Sequence, residues 1–140
     1  MSFYLDTNVV ISLFIDDAKS AATVAWMGQV AKSVAVSSWL ETELNSFMRR
    51  NVRTGVMTAL FADRKLAEID QFISGHCQRI ELCAASGNRA AALARDPMLK
   101  LSAADALHLG LSSHNGHILV TFDMRLAEAA RLRGHGVEVP

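Results

Sequence analysis

Four carboxylates stand where chemistry is easiest to build, Asp6, Glu43, Asp105 and Asp123. Each lies at or soon after the point where an apolar, β-prone run gives way to a helical pattern. Asp6 closes the run 3–6, Glu43 lies in the first turns after the run 34–37, Asp105 begins a late helix, and Asp123 directly follows the run 118–122. In open α/β folds such junctions gather along the carboxyl edge of the sheet, where ligands bind. Gathered there, the acids would repel one another, and helix dipoles worth only ~0.3 to 1 kcal/mol each could not hold them all ionised and close. A divalent cation resolves the conflict. Carboxylates without a His or Cys cluster favour a hard, oxygen-preferring ion, so Mg²⁺ or Mn²⁺ is expected rather than zinc. Such an ion can activate water and shield phosphate oxygens, which is phosphodiester hydrolysis in outline.

Three of these acids also have a purely structural use. Asp123 suits a helix N-cap, Ser102 and Asp105 outline a capping box, and Asp6 could cap a helix starting near Val9. Glu43 has no such job, because Ser38 and Glu41 already have capping-box spacing. At ~100° per residue Glu43 falls beside the apolar stripe of Leu40 and Phe47, an awkward place for an unpaired carboxylate. His108, three residues after Asp105, can share its side of the helix as an outer group or proton carrier, or be simply packed. The histidines at 76, 114, 117 and 135 have no metal-ligand spacing. Arg49, Arg50 and Arg53 cluster at the end of the helix carrying Glu43, and Arg125 follows Asp123. These are the candidate RNA contacts, although basic side chains also complement a helix's last turn. Trp26 and Trp39 read as core or dimer residues rather than base-stacking platforms.

The elements that must position these groups alternate from end to end. Strands are expected at 3–6, 34–37, 79–82, 118–122 and 137–139. Helices are expected at 18–30, 39–52, within 55–75, at 84–95, from Ser102, and at 124–133, the last closed by Gly134. Asn115 and Gly116 mark a turn. Strict alternation implies an α/β fold, a central parallel sheet of four to five strands covered by helices on both faces.

The 140 residues suffice for one domain, 1–140, without repeats or linkers. Half the chain is hydrophobic (51%) and 20% is charged, which excludes a disordered chain and leaves room for an apolar partner surface. Fourteen basic residues balance fourteen acidic ones, so nucleic acid is not held by a broadly basic face and any grip on it is local. Cys77 and Cys83 would sit roughly 20 Å apart along an extended segment, too far for a disulfide. No run approaches the ~20 apolar residues of a membrane span, and the amino terminus does not look like a secretion signal; a cytoplasmic protein is expected.

At its acidic positions the chain resembles the PIN-domain family, and within it the VapC-like toxins of bacterial toxin-antitoxin pairs. Four blocks carry the likeness in the family's order: YLDTN at 4–8, SSWLETEL at 37–44, LSAADAL at 101–107 and LVTFD at 119–123. The stretch 51–100 matches only in being helical. The resemblance implies that Asp6, Glu43 and Asp105 take the family's invariant acidic positions and Asp123 the more variable fourth. Thr7, Asn8 and Thr121 would be supporting polar residues. It further implies a metal-dependent endoribonuclease cutting structured RNA, transfer or ribosomal, a homodimer, and a VapB-like antitoxin that inserts a basic or aromatic side chain into the acidic groove. The expected mechanism has Asp6, Glu43 and Asp105 holding one ion while Asp123 orients a water or a second ion.

The rival readings are a phosphoryl-transfer α/β domain and a PIN-like protein that is non-catalytic or cuts DNA. A haloacid-dehalogenase-type phosphatase needs an aspartate two residues after its nucleophile, where this chain has Asn8. A receiver needs a late-strand lysine, and none follows Lys100.

Overall fold

The computed structural model describes residues 1–30 and 33–140. Five strands, β1 (Phe3–Leu5), β2 (Val34–Ser37), β3 (Cys77–Ile80), β4 (Ile118–Val120) and β5 (Val137–Glu138), form one sheet in the order β3-β2-β1-β4-β5. Every pairing is parallel. The helices among the described residues are α1 (Thr7–Phe14), α2 (Ser20–Val30), α3 (Ser38–Arg53), α4 (Ala59–His76), α5 (Ala84–Arg95), α6 (Ala103–His114) and α7 (Met124–Leu132). The α/β class and the parallel sheet covered on both faces are those the alternating pattern implies.

Side chains alternate along each strand and sort the core into two layers. Phe3, Leu5, Val34, Val36 and Val120 face one way, packing with Val9 and Val10 of α1, Trp26 of α2, Leu40, Leu44 and Met48 of α3, and Ile69 and Ile73 of α4. Tyr4, Ala35 and Leu119 face the other, against Leu109 and Leu111 of α6 and Leu126, Ala129 and Ala130 of α7. Strands buried on both faces must be apolar throughout, which explains runs such as FYL, VAVS and ILV. The edges are short or charged: β5 has two residues, and Arg79 on β3 pairs with Glu41 at 2.5 Å. Among the described residues, no helix is long and apolar enough to cross a membrane.

The boundaries differ from expectation in instructive places. The third strand begins at Cys77, two residues early, because the chain leaves α4 directly into parallel pairing with Val34 of β2. The fourth ends at Val120, so Thr121 and Phe122 form a short bend before Asp123. Ser37, not Ser38, caps α3, its hydroxyl accepting the Leu40 N–H at 3.2 Å. That places Leu40 rather than Glu41 at the capping-box position, and frees Glu41 to pair with Arg79. Gly134 (φ 67°) follows α7 in left-handed backbone, as its position implies, and Gly116 (φ 70°) makes the turn into β4. Cys77 and Cys83 are both free thiols.

Candidate active site

Because β1 is central, with β2 on one side and β4 on the other, the chain leaves it between strands whose connections run in opposite directions. Asp6 sits at this point. It caps α1, one carboxylate oxygen accepting the Thr7 N–H at 2.7 Å. The other oxygen accepts from Thr121 Oγ1 at 2.6 Å and from Asn8 Nδ2 at 2.9 Å. The bend before α7 is tied in as well: the Phe122 N–H donates to Asn8 Oδ1 and the Asp123 N–H to Thr121 Oγ1. Thr7, Asn8 and Thr121 thus fix the orientation of a carboxylate that is only 5% exposed. Asp123 in turn caps α7, one oxygen accepting the N–H groups of Arg125 and Leu126.

Glu43 enters from α3. Its Oε2 accepts Thr7 Oγ1 at 2.5 Å and lies 2.5 Å from His108 Nε2, while that nitrogen is 3.3 Å from Asp6 Oδ1. Burial alone would raise the Glu43 pKa. The His108 hydrogen bond and charge, with Thr7 behind them, overcome burial and hold the carboxyl below its ordinary range. Asp105 differs. Burial, reinforced by the charges of Asp123 and Asp6, raises its pKa against the opposing pull of Ser102 and His108. For His108, burial disfavours the charged ring, but Glu43, Asp6 and Asp105 more than compensate and raise its pKa.

All four acids line one groove of about 550 Å³, together with Thr7, Asn8, His108 and the outward stripe of α3. Four separate segments of chain therefore converge on one pocket. Within it, donor atoms of Asp6, Glu43 and His108 lie within 4.8 Å of one another; Asp105 and Asp123 stand on the same groove outside that tight group. Glu43 Oε1 and the second oxygen of Asp123 accept no hydrogen bond among the described residues. This donor set of carboxylate oxygens without thiolates fits Mg²⁺ or Mn²⁺, and the raised Asp105 pKa marks the uncompensated charge such an ion would relieve.

The basic residues separate. Arg50 lines the groove, Arg49 is tied to Asp63 at 2.6 Å, and Arg125 lies in a different cleft beside Lys100 and Glu128. Arg53 is exposed and lines none of the clefts described. Trp26 packs edge-on against Phe3 in the core, whereas Trp39, partly buried, packs against the Tyr4 layer of the core and also lines the groove. Sequence reasoning left His108 undecided and gave Tyr4 and Ser37 no part. Tyr4 Oη lies 2.8 Å from both His108 Nδ1 and Ser37 Oγ, directly behind the acids. The available signal was a tyrosine two residues before Asp6, on the same face of β1, and a histidine one helical turn after Asp105.

The family model described as the PIN domain matches residues 3–132. The chain belongs to the PIN-domain family. Solved structures of similar fold include VapBC2 from Rickettsia felis bound to a promoter DNA fragment, 15% identical, with TM-score 0.72 over 99% of this chain and 98% of that one. FitAcB from Neisseria gonorrhoeae is 17% identical, with TM-score 0.72 over 96% and 95% of the two chains. VapC20 from Mycobacterium tuberculosis, a sarcin-ricin loop cleaving toxin, is 17% identical, with TM-score 0.71 over 91% and 95%. No curated protein sequence matches this PIN-domain chain. Its five parallel strands share the fold of these proteins.

Proposed function

We propose that this PIN domain is an Mg²⁺- or Mn²⁺-dependent endoribonuclease, the toxin of a VapBC-like pair, which hydrolyses phosphodiester bonds in structured RNA such as transfer or ribosomal RNA. The observation that carries the reading is the convergence of Asp6, Glu43, Asp105 and Asp123 on one groove from four segments of chain. Family membership and the fold shared with toxin-antitoxin structures support it.

In this reading Asp6, Glu43 and Asp105 hold the ion, and Asp123 orients the attacking water or a second ion. When bound, the ion supplies charge neutralisation at the scissile phosphate and activation of water. The chain's own residues do the rest. Thr7, Asn8 and Thr121 keep Asp6 aimed, and Arg50 offers a phosphate contact within the groove. The antitoxin occupies the same groove through a basic or aromatic side chain, since the four acids attract the first and Trp39, Phe47 and Ile11 give an apolar wall for the second. The protein works in the cytoplasm, as a homodimer.

The test is cleavage of mixed structured RNA by purified protein with Mn²⁺, with EDTA, and with Asp105→Asn as a control for contaminating nuclease. Cleavage should require the metal and vanish in the variant. RNA cut equally well in EDTA, or by Asp105→Asn, would refute the assignment; single-stranded DNA cut in preference to RNA would replace the substrate class.

A further inference from the structure

Directly behind the acids lies a polar file inside an otherwise apolar layer. Tyr4 and Ser37 are fully buried and His108 is 1% exposed, yet they come from β1, the end of β2 and α6. Three polar side chains from distant segments are costly to bury unless every hydrogen is placed. With the imidazole neutral, counting those hydrogens allows one direction only. Ser37 Oγ already accepts the Leu40 N–H, and the acceptor in reach of its own hydrogen among the described residues is Tyr4 Oη at 2.8 Å. Tyr4 Oη therefore accepts from Ser37. A phenol keeps its own hydrogen at neutral pH, and for that hydrogen His108 Nδ1 at 2.8 Å is the remaining acceptor. A ring that accepts at Nδ1 carries its hydrogen on Nε2, the nitrogen facing Glu43 Oε2 at 2.5 Å. Running the file backwards would strand the Ser37 hydroxyl hydrogen in the core.

We infer that Ser37 and Tyr4 are positioning residues that lock His108 in its Nε2–H form, making the imidazole a hydrogen-bond donor that steers Glu43 towards Asp6 and not a ligand of the metal ion. Asp6, Glu43 and His108 otherwise have the proximity of a mixed nitrogen and oxygen metal site. The file removes the nitrogen from that set. It also divides Glu43: Oε2 is held by Thr7 and His108, and Oε1 is left for the groove. The part of this inference that concerns metal affinity rests on the nuclease reading; the hydrogen placement does not.

Two measurements test it. Long-range ¹H–¹⁵N correlation of the His108 ring in metal-free protein, on the alkaline side of its titration, should show a hydrogen on Nε2 and an acceptor at Nδ1. The opposite tautomer overturns the proposal. Ser37→Ala, and separately Tyr4→Phe, should each loosen the preference, a change that simple loss of packing would not give. Calorimetric titration with Mn²⁺, without RNA, then asks what His108 supplies. His108→Gln places an amide donor near the Nε2 position and should retain most of the affinity. His108→Ala should lose roughly tenfold to a hundredfold, the usual effect of removing a partner that orients a ligand. Tyr4→Phe should weaken Mn²⁺ binding in the parent chain but not in His108→Gln. Equal loss in the glutamine and alanine variants would overturn the donor role and mark His108 as a ligand. If the parent chain takes up no Mn²⁺ while the ring shows the Nε2–H tautomer, the nuclease reading fails and the hydrogen placement stands.

Discussion

Asp105 is the acid whose surroundings least favour its charge, and this makes it the most informative residue to neutralise. Burial first, then Asp123 and Asp6, raises its pKa. A carboxyl raised in the folded state costs no stability while it is protonated, below the ordinary aspartate value. It costs progressively more as pH climbs through the folded value. Asp105→Asn should therefore melt above the parent protein in EDTA at neutral pH, with the gap closing in acid. Saturating Mn²⁺ should reverse the order, because only the parent gains the ~2.7 kcal/mol that a ligand at a hundred times its Kd confers. Scanning calorimetry at two pH values reads both effects, and a variant melting below the parent in EDTA at neutral pH would count against the crowding of charge. The two thiols offer a second residue-level check. Burial pushes Cys77 to about 12, whereas the Ser86 hydroxyl and backbone N–H lower Cys83, which stands exposed at the start of α5. Iodoacetamide should label Cys83 in the folded protein and reach Cys77 only after unfolding, as followed by peptide mass spectrometry.

At the scale of elements, the site depends on how closely α6 lies on α5, since α6 brings both Asp105 and His108. Gly110 makes that approach possible. A Cβ added there would meet the Cβ and backbone nitrogen of Ala90 and the Ser86 carbonyl oxygen, each at 3.0 Å. Two of those atoms are backbone and cannot swing aside, so Gly110→Ala should destabilise by about 1 to 3 kcal/mol and weaken Mn²⁺ binding as α6 is displaced. Gly87, on α5, has nothing within 4 Å of such a Cβ. Gly87→Ala should gain roughly 0.5 to 1 kcal/mol from helix propensity and leave the metal site untouched. Urea unfolding of the pair, with Mn²⁺ calorimetry, separates close helix contact from glycine content in general; a neutral Gly110→Ala would mean that α5 and α6 slide freely. The same scale explains why α3 is amphipathic in two senses. Leu40, Leu44 and Met48 bury one face, while Trp39, Thr42, Glu43, Ser46, Phe47 and Arg50 recur at helical spacing along the groove.

Over the whole molecule, the four acids tie together segments that lie as far apart in sequence as Asp6 and Asp123. A cation held among them should act as a cross-link at the carboxyl edge. Hydrogen exchange followed by mass spectrometry should show Mn²⁺ slowing exchange together at the start of α1, the first turns of α3 and α6, and the start of α7, with little change at the opposite edge of the sheet. Protection confined to one segment would mean that the acids do not share an ion. The parallel sheet makes this possible, because each right-handed crossover returns the chain to the same edge and so delivers every strand-to-helix junction to one side.

Much of this was legible in the chain itself. Alternating apolar runs and helical periods fixed the class, and residue type at the junctions singled out Asp6, Glu43, Asp105 and Asp123, because strand ends and helix starts are local features. Strand limits were less legible. Pairing with a neighbour decides where a strand begins, as Cys77 against Val34 demonstrates, and no local signal encodes that partner. The same holds for Ser37, Tyr4 and His108. Each reads alone as a cap, a core aromatic or a packed ring, and only tertiary packing brings their hydroxyls and imidazole within 2.8 Å. It likewise decided that Arg50 rather than Arg125 lines the groove, since helix rotation and neighbouring contacts choose between equally basic candidates. Composition and periodicity determine which elements form; contacts between elements determine which side chains meet, because those depend on registers and rotations that short-range sequence does not specify.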